Sequence, residues 1–278
     1  MLITTNDEKI SLKDLYQGAS IFFIGGGPSI LKQDLTFLSD RGICSFAVNN
    51  VAAKTIHPNF WCCIDNPPHF HANIWNDPTI CKFSPYMYSK QIYYDELLDK
   101  FKLIRDQPNV YFYTNKMGFD HTTYLLEPVV CFGNIKGAKD SVGERGCRSV
   151  MLAALKLIYY LGFRRVFLLG CDFAMAHDRR KKNTAVGKTY SFPQYKHPSG
   201  VLTNNYAYRI LNKRFVTLAP LFQQANFEVF NCTPNSNLVA FPELNLAKAV
   251  KLATEKIEND PNTFGYYGGR ENLNRFGR

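Results

Sequence analysis

Short runs of apolar residues recur along the chain, many of them bounded by Gly, Pro, Asn or Asp, with amphipathic stretches between several of them. The runs fall at 20–25, 43–48, 60–64, 110–113, 129–132, 166–171 and 227–231, and each has the length and β-branched or aromatic content of a strand. Between or after them, apolar residues spaced three and four apart predict helices at 30–39, 94–103, 149–161, 205–225 and 245–259. Strands alternating with helices predict an α/β fold, a Rossmann-like and mostly parallel sheet with helices on both faces. There is no internal repeat.

Two stretches break the pattern. Residues 175–203 carry Asp178-Arg179-Arg180-Lys181-Lys182 and then Gly187, Pro193, Pro198 and Gly200, which reads as an insertion after a strand, a candidate lid. Residues 263–278 are rich in Gly, Asn, Arg and aromatics without a helical period, a loosely ordered basic and aromatic tail. The expected organisation is one nucleotide-binding catalytic domain over 1–262, with its lid at about 175–203, followed by the tail.

Composition narrows the class. With 278 residues, 46% hydrophobic and 20% charged, the chain can bury a sizeable core without staples. No run approaches the ~20 apolar residues of a membrane helix, and the start of the chain lacks a signal-peptide layout, so the expected location is cytoplasmic. The eight cysteines form no C-x-x-C pair and read as reduced core residues. Net charge is +10, from 33 Lys and Arg against 23 Asp and Glu, which favours an anionic ligand or polyanionic partner.

The strongest local motif is Ile21-Phe22-Phe23-Ile24-Gly25-Gly26-Gly27-Pro28-Ser29-Ile30, a buried strand entering three glycines and then Pro-Ser. Such a turn aims backbone N–H groups at a phosphate, and the helix predicted after it adds a favourable dipole. It is neither G-x-G-x-x-G nor a P-loop, and a tight turn that binds nothing is the plain alternative. Asn49-Asn50 and Asp65-Asn66 end the next two strands, at the sheet edge where ligands of open parallel sheets sit. These residue types also cap their own turns. Gly146, Arg148 and Ser149 form a second glycine-bearing helix entrance, and Asp172 ends the strand 166–171 as an orienting or catalytic carboxylate. His69 and His71 follow Asp65, but no third ligand of suitable spacing appears and no metal is predicted.

The order of these motifs, continuing through Leu169-Gly170-Cys171-Asp172-Phe173, Tyr190-Ser191-Phe192 and Asn231-Cys232-Thr233-Pro234-Asn235-Ser236, resembles bacterial sialyltransferases that decorate lipooligosaccharide. The wider group with this G-x-G-P-S opening includes flagellin glycosyltransferase-like proteins and archaeal-type 6-hydroxymethylpterin diphosphokinases. The resemblance implies a nucleotide sugar donor, a CMP-sugar in the sialyltransferases, with Asn49 and Asn66 matching nucleotide-contacting asparagines. It makes Tyr190 a lid tyrosine assisting the departing phosphate and adds Asn235 and Ser236 to the nucleotide-binding set. Gly26 stands where that family has asparagine. The family's general base is a histidine; His197 is the nearest, though counting back from Pro234-Asn235-Ser236 places the expected position near Asn204 or Asn205.

The leading expectation is therefore sugar transfer from a nucleotide-activated donor to a hydroxyl, with His197, Asp65 or Asp172 as base. Two alternatives stand beside it. One is metal-dependent diphosphate transfer to a pterin-like alcohol. The other is nucleic-acid binding or DNA modification through Arg179-Arg180-Lys181-Lys182 and the tail.

Overall fold

A computed structural model describes residues 2–40, 42–54, 56–116, 118–131, 133, 148–176, 190–191 and 198–255. Its strands are β1 (Leu2–Ile3), β2 (Lys9–Ile10), β3 (Ser20–Ile24), β4 (Ser45–Val48), β5 (Phe60–Cys62), β6 (Cys81–Pro85), β7 (Ile92–Asp95), β8 (Lys100–Leu103), β9 (Val110–Tyr113), β10 (Asn115–Lys116), β11 (Val130–Cys131), β12 (Arg165–Leu169) and β13 (Glu228–Asn231). The α-helices are α1 (Val51–Lys54), α2 (Ala72–Asn76), α3 (Val150–Tyr160), α4 (Pro198–Gln224) and α5 (Leu246–Thr254).

Nine strands form one sheet in the order β13-β12-β3-β4-β5-β6-β9-β1-β2. The seven from β13 to β9 run parallel, and β1 and β2 add an antiparallel edge. This is the expected α/β, mostly parallel, Rossmann-like sheet. From β3 the chain winds outward through β4, β5 and β6, then returns to lay β12 and β13 on the other side. The switch point therefore lies between β3 and β12, paired in register from Arg165↔Ser20 to Leu169↔Ile24.

Strand alternation divides the core between the two faces. Ile21, Phe23, Phe46, Val166 and Leu168 pack with Leu152, Leu155 and Ile158 of α3 and Phe215 and Phe222 of α4. Phe22, Ile24, Ala47, Phe167 and Leu169 face the other way, toward Val51 of α1, Trp75 of α2 and Ala249 of α5. Each such Phe, Ile or Leu contributes about 1.5–3 kcal/mol by leaving water, which is why the central runs are apolar throughout rather than alternating.

Several local expectations are corrected. The predicted helix 30–39 is two 3-10 turns, Pro28–Lys32 and Thr36–Ser39, because Asp34 accepts from Thr36 N (3.0 Å) and Oγ1 (2.7 Å) and ends the first. The predicted helix 94–103 is instead the β7–β8 hairpin, with Tyr94 opposite Phe101 and Asp95 opposite Lys100. The buried Asp95 carboxylate pairs with Lys102 Nζ at 2.9 Å and accepts from Leu97 N, so a cross-strand ion pair and a turn replace helical hydrogen bonds. Within the run 129–132, Val130–Cys131 forms a strand that pairs with β10 outside the main sheet, and 132 lies outside the described residues. Strand β6 has no counterpart in the sequence reading, because Lys82 and Pro85 disguise it. The lid at 175–203 falls largely outside the described residues, and the tail at 263–278 wholly so. Among the described residues no helix is long and apolar enough to cross a membrane.

Lys82 sits fully buried in β6, its Nζ donating to the carbonyls of Asp77 (2.5 Å) and Ile80 (2.8 Å). Burial pulls its pKa down to about 7, against the smaller upward pull of Cys81 and Asp77. Between that value and the unfolded lysine range the unfolded chain binds the extra proton, so stability rises with pH across this window. Urea denaturation from pH 7 to pH 10 is expected to show a Lys82-dependent gain of up to about 1.4 kcal/mol per pH unit. Lys82→Met, less stable overall because two carbonyls lose their donor, should lack that slope; equal slopes in both proteins would contradict the assignment.

Candidate functional site

The exits of β3 and β12 are tied together by backbone. Gly25 N donates to Leu169 O and Gly27 N to Gly170 O, both at 2.8 Å. A Cβ on Gly25 would lie 2.6 Å from Gly170 O, and one on Gly27 would lie 1.8 Å from Asp172 Oδ2. Glycine at 25 and 27 is thus demanded by the neighbouring strand exit, whatever else binds there. On the β12 side, Gly170 has φ +63 and Phe173 φ 52, the latter an uncommon left-handed conformation for a bulky residue. The Phe173 ring is held against Tyr208, centroids 5.1 Å apart.

Pro28–Lys32 is a five-residue 3-10 turn, too short to carry a helix dipole of any size. Asp172 fills the place where the sequence reading puts a phosphate: Ser29 Oγ donates to its Oδ2 at 2.7 Å and Ser29 N to its Oδ1 at 3.2 Å. Burial raises the Asp172 pKa, and the two bonds from Ser29 pull it partly back.

A cleft of about 620 Å³ opens beyond the carboxyl ends of β3, β4, β5 and β12. It brings together Gly25, Gly26, Gly27, Asn49, Asn50, Asp65, Arg148, Ser149, Asp172 and Tyr190 among the residues singled out in the sequence. Pro28, Ser29, Asn66, Asn235 and Ser236 do not line it. Gly146 and His197 lie outside the described residues.

The polar groups are engaged to different degrees. Asn49 has φ 55, and its carbonyl accepts from Trp61 Nε1 at 2.7 Å. Asn50 donates to His69 O and accepts from His71 N, bracing the loop that follows β5. Asn66 precedes the 3-10 turn Pro67–His69. Ser236 Oγ donates to Cys171 O at 2.5 Å and Asn237 N to Asp172 O at 2.9 Å, so the loop after β13 braces Asp172 from behind. Asp65 is exposed on the cleft wall.

The opposite wall is the entrance of α3. Ser149 caps it, accepting from Met151 N at 3.2 Å, and Arg148 stands exposed just before it. Eleven residues long, α3 directs a real positive end at the cleft through Ser149, Val150 and Met151. Of the two glycine-bearing entrances, this is the one with helical length behind it.

The third wall is α4, of which the sequence pointed only to Asn204, near the position expected for the general base. Asn204, Ala207, Tyr208 and Leu211 recur three and four apart on α4 and all line the cleft. Their helical spacing was visible, but not that this face turns toward a site. Asn204 Nδ2 donates to the Tyr190 hydroxyl at 3.3 Å. Burial raises the Tyr190 pKa, the Asn204 bond lowers it, and the negative charge of Asp65 raises it. His69 and Phe70 also line the cleft, while His71 does not. Among the described residues no group of three or more His, Cys, Asp or Glu side chains gathers as a metal site.

No protein-family model and no curated protein matches this sequence. A solved structure, the MAf glycosyltransferase from Magnetospirillum magneticum AMB-1, aligns with 91% of this chain at 14% identity and a TM-score of 0.47. The chain spans 37% of that protein's length.

The locked strand exits generate a stability prediction. Gly25→Ala and Gly27→Ala should each cost about 1–3 kcal/mol in urea denaturation, because the Cβ meets backbone that cannot move aside cheaply. Losses under about 0.5 kcal/mol would mean that the two exits are not packed as described.

Proposed function

We propose that the chain is a glycosyltransferase-like enzyme that moves a sugar from a nucleotide-activated donor to a hydroxyl acceptor. The observation that carries this reading is the cleft at the β3/β12 switch point, with the α3 entrance and Arg148 on one wall and Asp65 on another. Open parallel sheets bind their ligands at this place, and a helix entrance next to an arginine suits a phosphate.

In this reading the donor phosphate lies against the Val150 N–H and the Arg148 guanidinium. The nucleoside extends toward Asn49, His69 and Phe70, where an amide reads polar edges and rings cover the base. The bond from the anomeric carbon to the phosphate oxygen breaks, and a new bond forms to the acceptor oxygen. Asp65, which is exposed on the cleft, takes the acceptor proton. Asp172 is held by Ser29 and keeps the glycine turn in place rather than reaching the reacting atoms. Tyr190, oriented by Asn204, donates a hydrogen bond to the departing phosphate. The acceptor enters along the α4 face, between Tyr208 and Leu211. For nucleic-acid binding, the basic segments at 179–182 and 263–278 lie outside the described residues; for metal-dependent diphosphate transfer, no group of three or more His, Cys, Asp or Glu side chains gathers among the described residues.

Thermal melts against a panel of nucleotides and nucleotide sugars test the binding step. A matched ligand at a hundred times its Kd is expected to stabilise the fold by about 2.7 kcal/mol. Arg148→Ala should weaken that ligand about tenfold or more, measured against the variant's own unliganded melt. If no nucleotide shifts the melt, the reading fails. Once a donor is found, Asp65→Asn should lower kcat at least about a hundredfold with donor affinity retained; unchanged kcat would remove Asp65 as the base.

A further inference from the structure

Asn204 and Tyr208 face the cleft one turn apart on α4, and their polar groups are in different states. Asn204 is committed to Tyr190, to whose hydroxyl it donates at 3.3 Å. Tyr208 keeps a hydroxyl that has no hydrogen-bond partner among the described residues. Its ring is fixed all the same, packed on Phe173 with centroids 5.1 Å apart. Phe173 is itself held at φ 52, a strained conformation for a bulky residue. Strain of this kind persists only where the surroundings over-determine it, and it gathers at ligand sites. Burial raises the Tyr208 pKa, and Tyr190, Asp172 and Cys171 add to the rise, so the hydroxyl keeps its proton and lies within the field of those groups. On a ring that cannot swing away, it presents a fixed donor to whatever enters the cleft.

We infer that Tyr208 recognises the acceptor, and that the acceptor is an uncharged alcohol with an apolar ring or chain beside its hydroxyls. This deepens the sugar-transfer reading and rests on it. With the donor phosphate at Arg148 and the nucleoside toward Asn49 and His69, the α4 wall is the side the donor leaves free. Beside Tyr208 that wall is carbon, from Phe173, Ala207 and Leu211. Such a surface matches the face of a sugar ring or an aryl group and gives a strongly hydrated group nothing to bond. Charge narrows the class further. Among the described residues lining the cleft, the one arginine is Arg148 at the α3 entrance, no lysine joins it, and His69 is on the nucleoside side. Asp172 lies near the Tyr208 hydroxyl and Asp65 at the reacting end. A carboxylate or phosphate on the acceptor would face both with no cation beside it, and like charges brought together in this way cost affinity steeply. The Tyr208 hydroxyl then chooses among neutral alcohols: one with a second oxygen in reach pairs it, and one without leaves it unpaired.

Saturation-transfer NMR on the full chain, with and without the nucleotide that shifts its melt, tests this with two probes. One is p-nitrophenyl glucoside; the other is p-nitrophenyl glucuronide, which carries a carboxylate in place of one hydroxymethyl group. The glucoside is expected to bind, and the glucuronide to bind at least about tenfold more weakly. Tyr208→Phe keeps the ring on Phe173, so the nucleotide-induced melt shift should persist while glucoside binding falls about three- to tenfold. Glucuronide bound as tightly as glucoside overturns the neutral-acceptor assignment, and a Tyr208→Phe protein that holds the glucoside like wild type overturns the role of Tyr208. Binding of neither probe overturns both. Glucoside bound through Tyr208 in a protein whose melt no nucleotide shifts is a different failure: the donor reading falls, and the acceptor role falls with it, although the subsite is real.

Discussion

Gly27 N–H donates to the carbonyl of Gly170 at 2.8 Å, while Gly25 N–H reaches across to Leu169 in the same way. These two bonds bring the exits of β3 and β12 so close that no side chain fits between them, and the rest of the site follows. Because the chain leaves β3 toward β4 and arrives at β12 from α3, the connections diverge on either side of this joint. The space between them cannot be filled by a crossover helix, so it remains open as the cleft. Asp172 completes the joint by bonding Ser29, which places the glycine turn at the floor of the cleft and leaves the α3 entrance and Arg148 to meet an anion at its wall.

The balance of charge in the cleft follows from what burial does to each group. Asp172 is half-buried and already hydrogen-bonded twice, so it acts as a fixed part of the scaffold. Asp65 is exposed and faces the same space, where its negative charge also raises the Tyr190 pKa. Tyr190 is kept protonated by burial and oriented by Asn204, which makes it a donor at neutral pH. One wall therefore offers positive potential and the others a carboxylate and a neutral donor. That asymmetry is what group transfer from a phosphate leaving group needs.

Much of this was legible in the sequence. The continuous apolar runs of β3, β4, β5 and β12 announced buried parallel strands, and Asn49, Asp65 and Asp172 were found by asking which polar residues follow them. What was not legible has specific causes. Tyr94, Leu97, Leu98 and Phe101 have helical spacing, but a buried Asp95–Lys102 pair that no periodicity reveals turns the segment into a hairpin. Strand β6 hid behind Lys82, whose burial depends on two carbonyls supplied by a loop. The three glycines invited a ligand-based reading because sequence cannot show that a second strand exit lies 2.6 Å from a Cβ at position 25. Beyond Asn204, the α4 wall was missed because its apolar face serves both the core and the cleft.

The central claim is that the opening at the β3/β12 joint holds a phosphate-bearing ligand at the α3 entrance. A crystal structure of the protein with the nucleotide sugar that stabilises it most tests this directly. The account predicts phosphate oxygens within hydrogen-bonding distance, about 3 Å, of Val150 N and the Arg148 guanidinium, with the Asp172–Ser29 bonds intact. Phosphate density seated instead on the Gly25–Ser29 turn with Asp172 displaced, or a nucleotide bound away from this cleft, would contradict it.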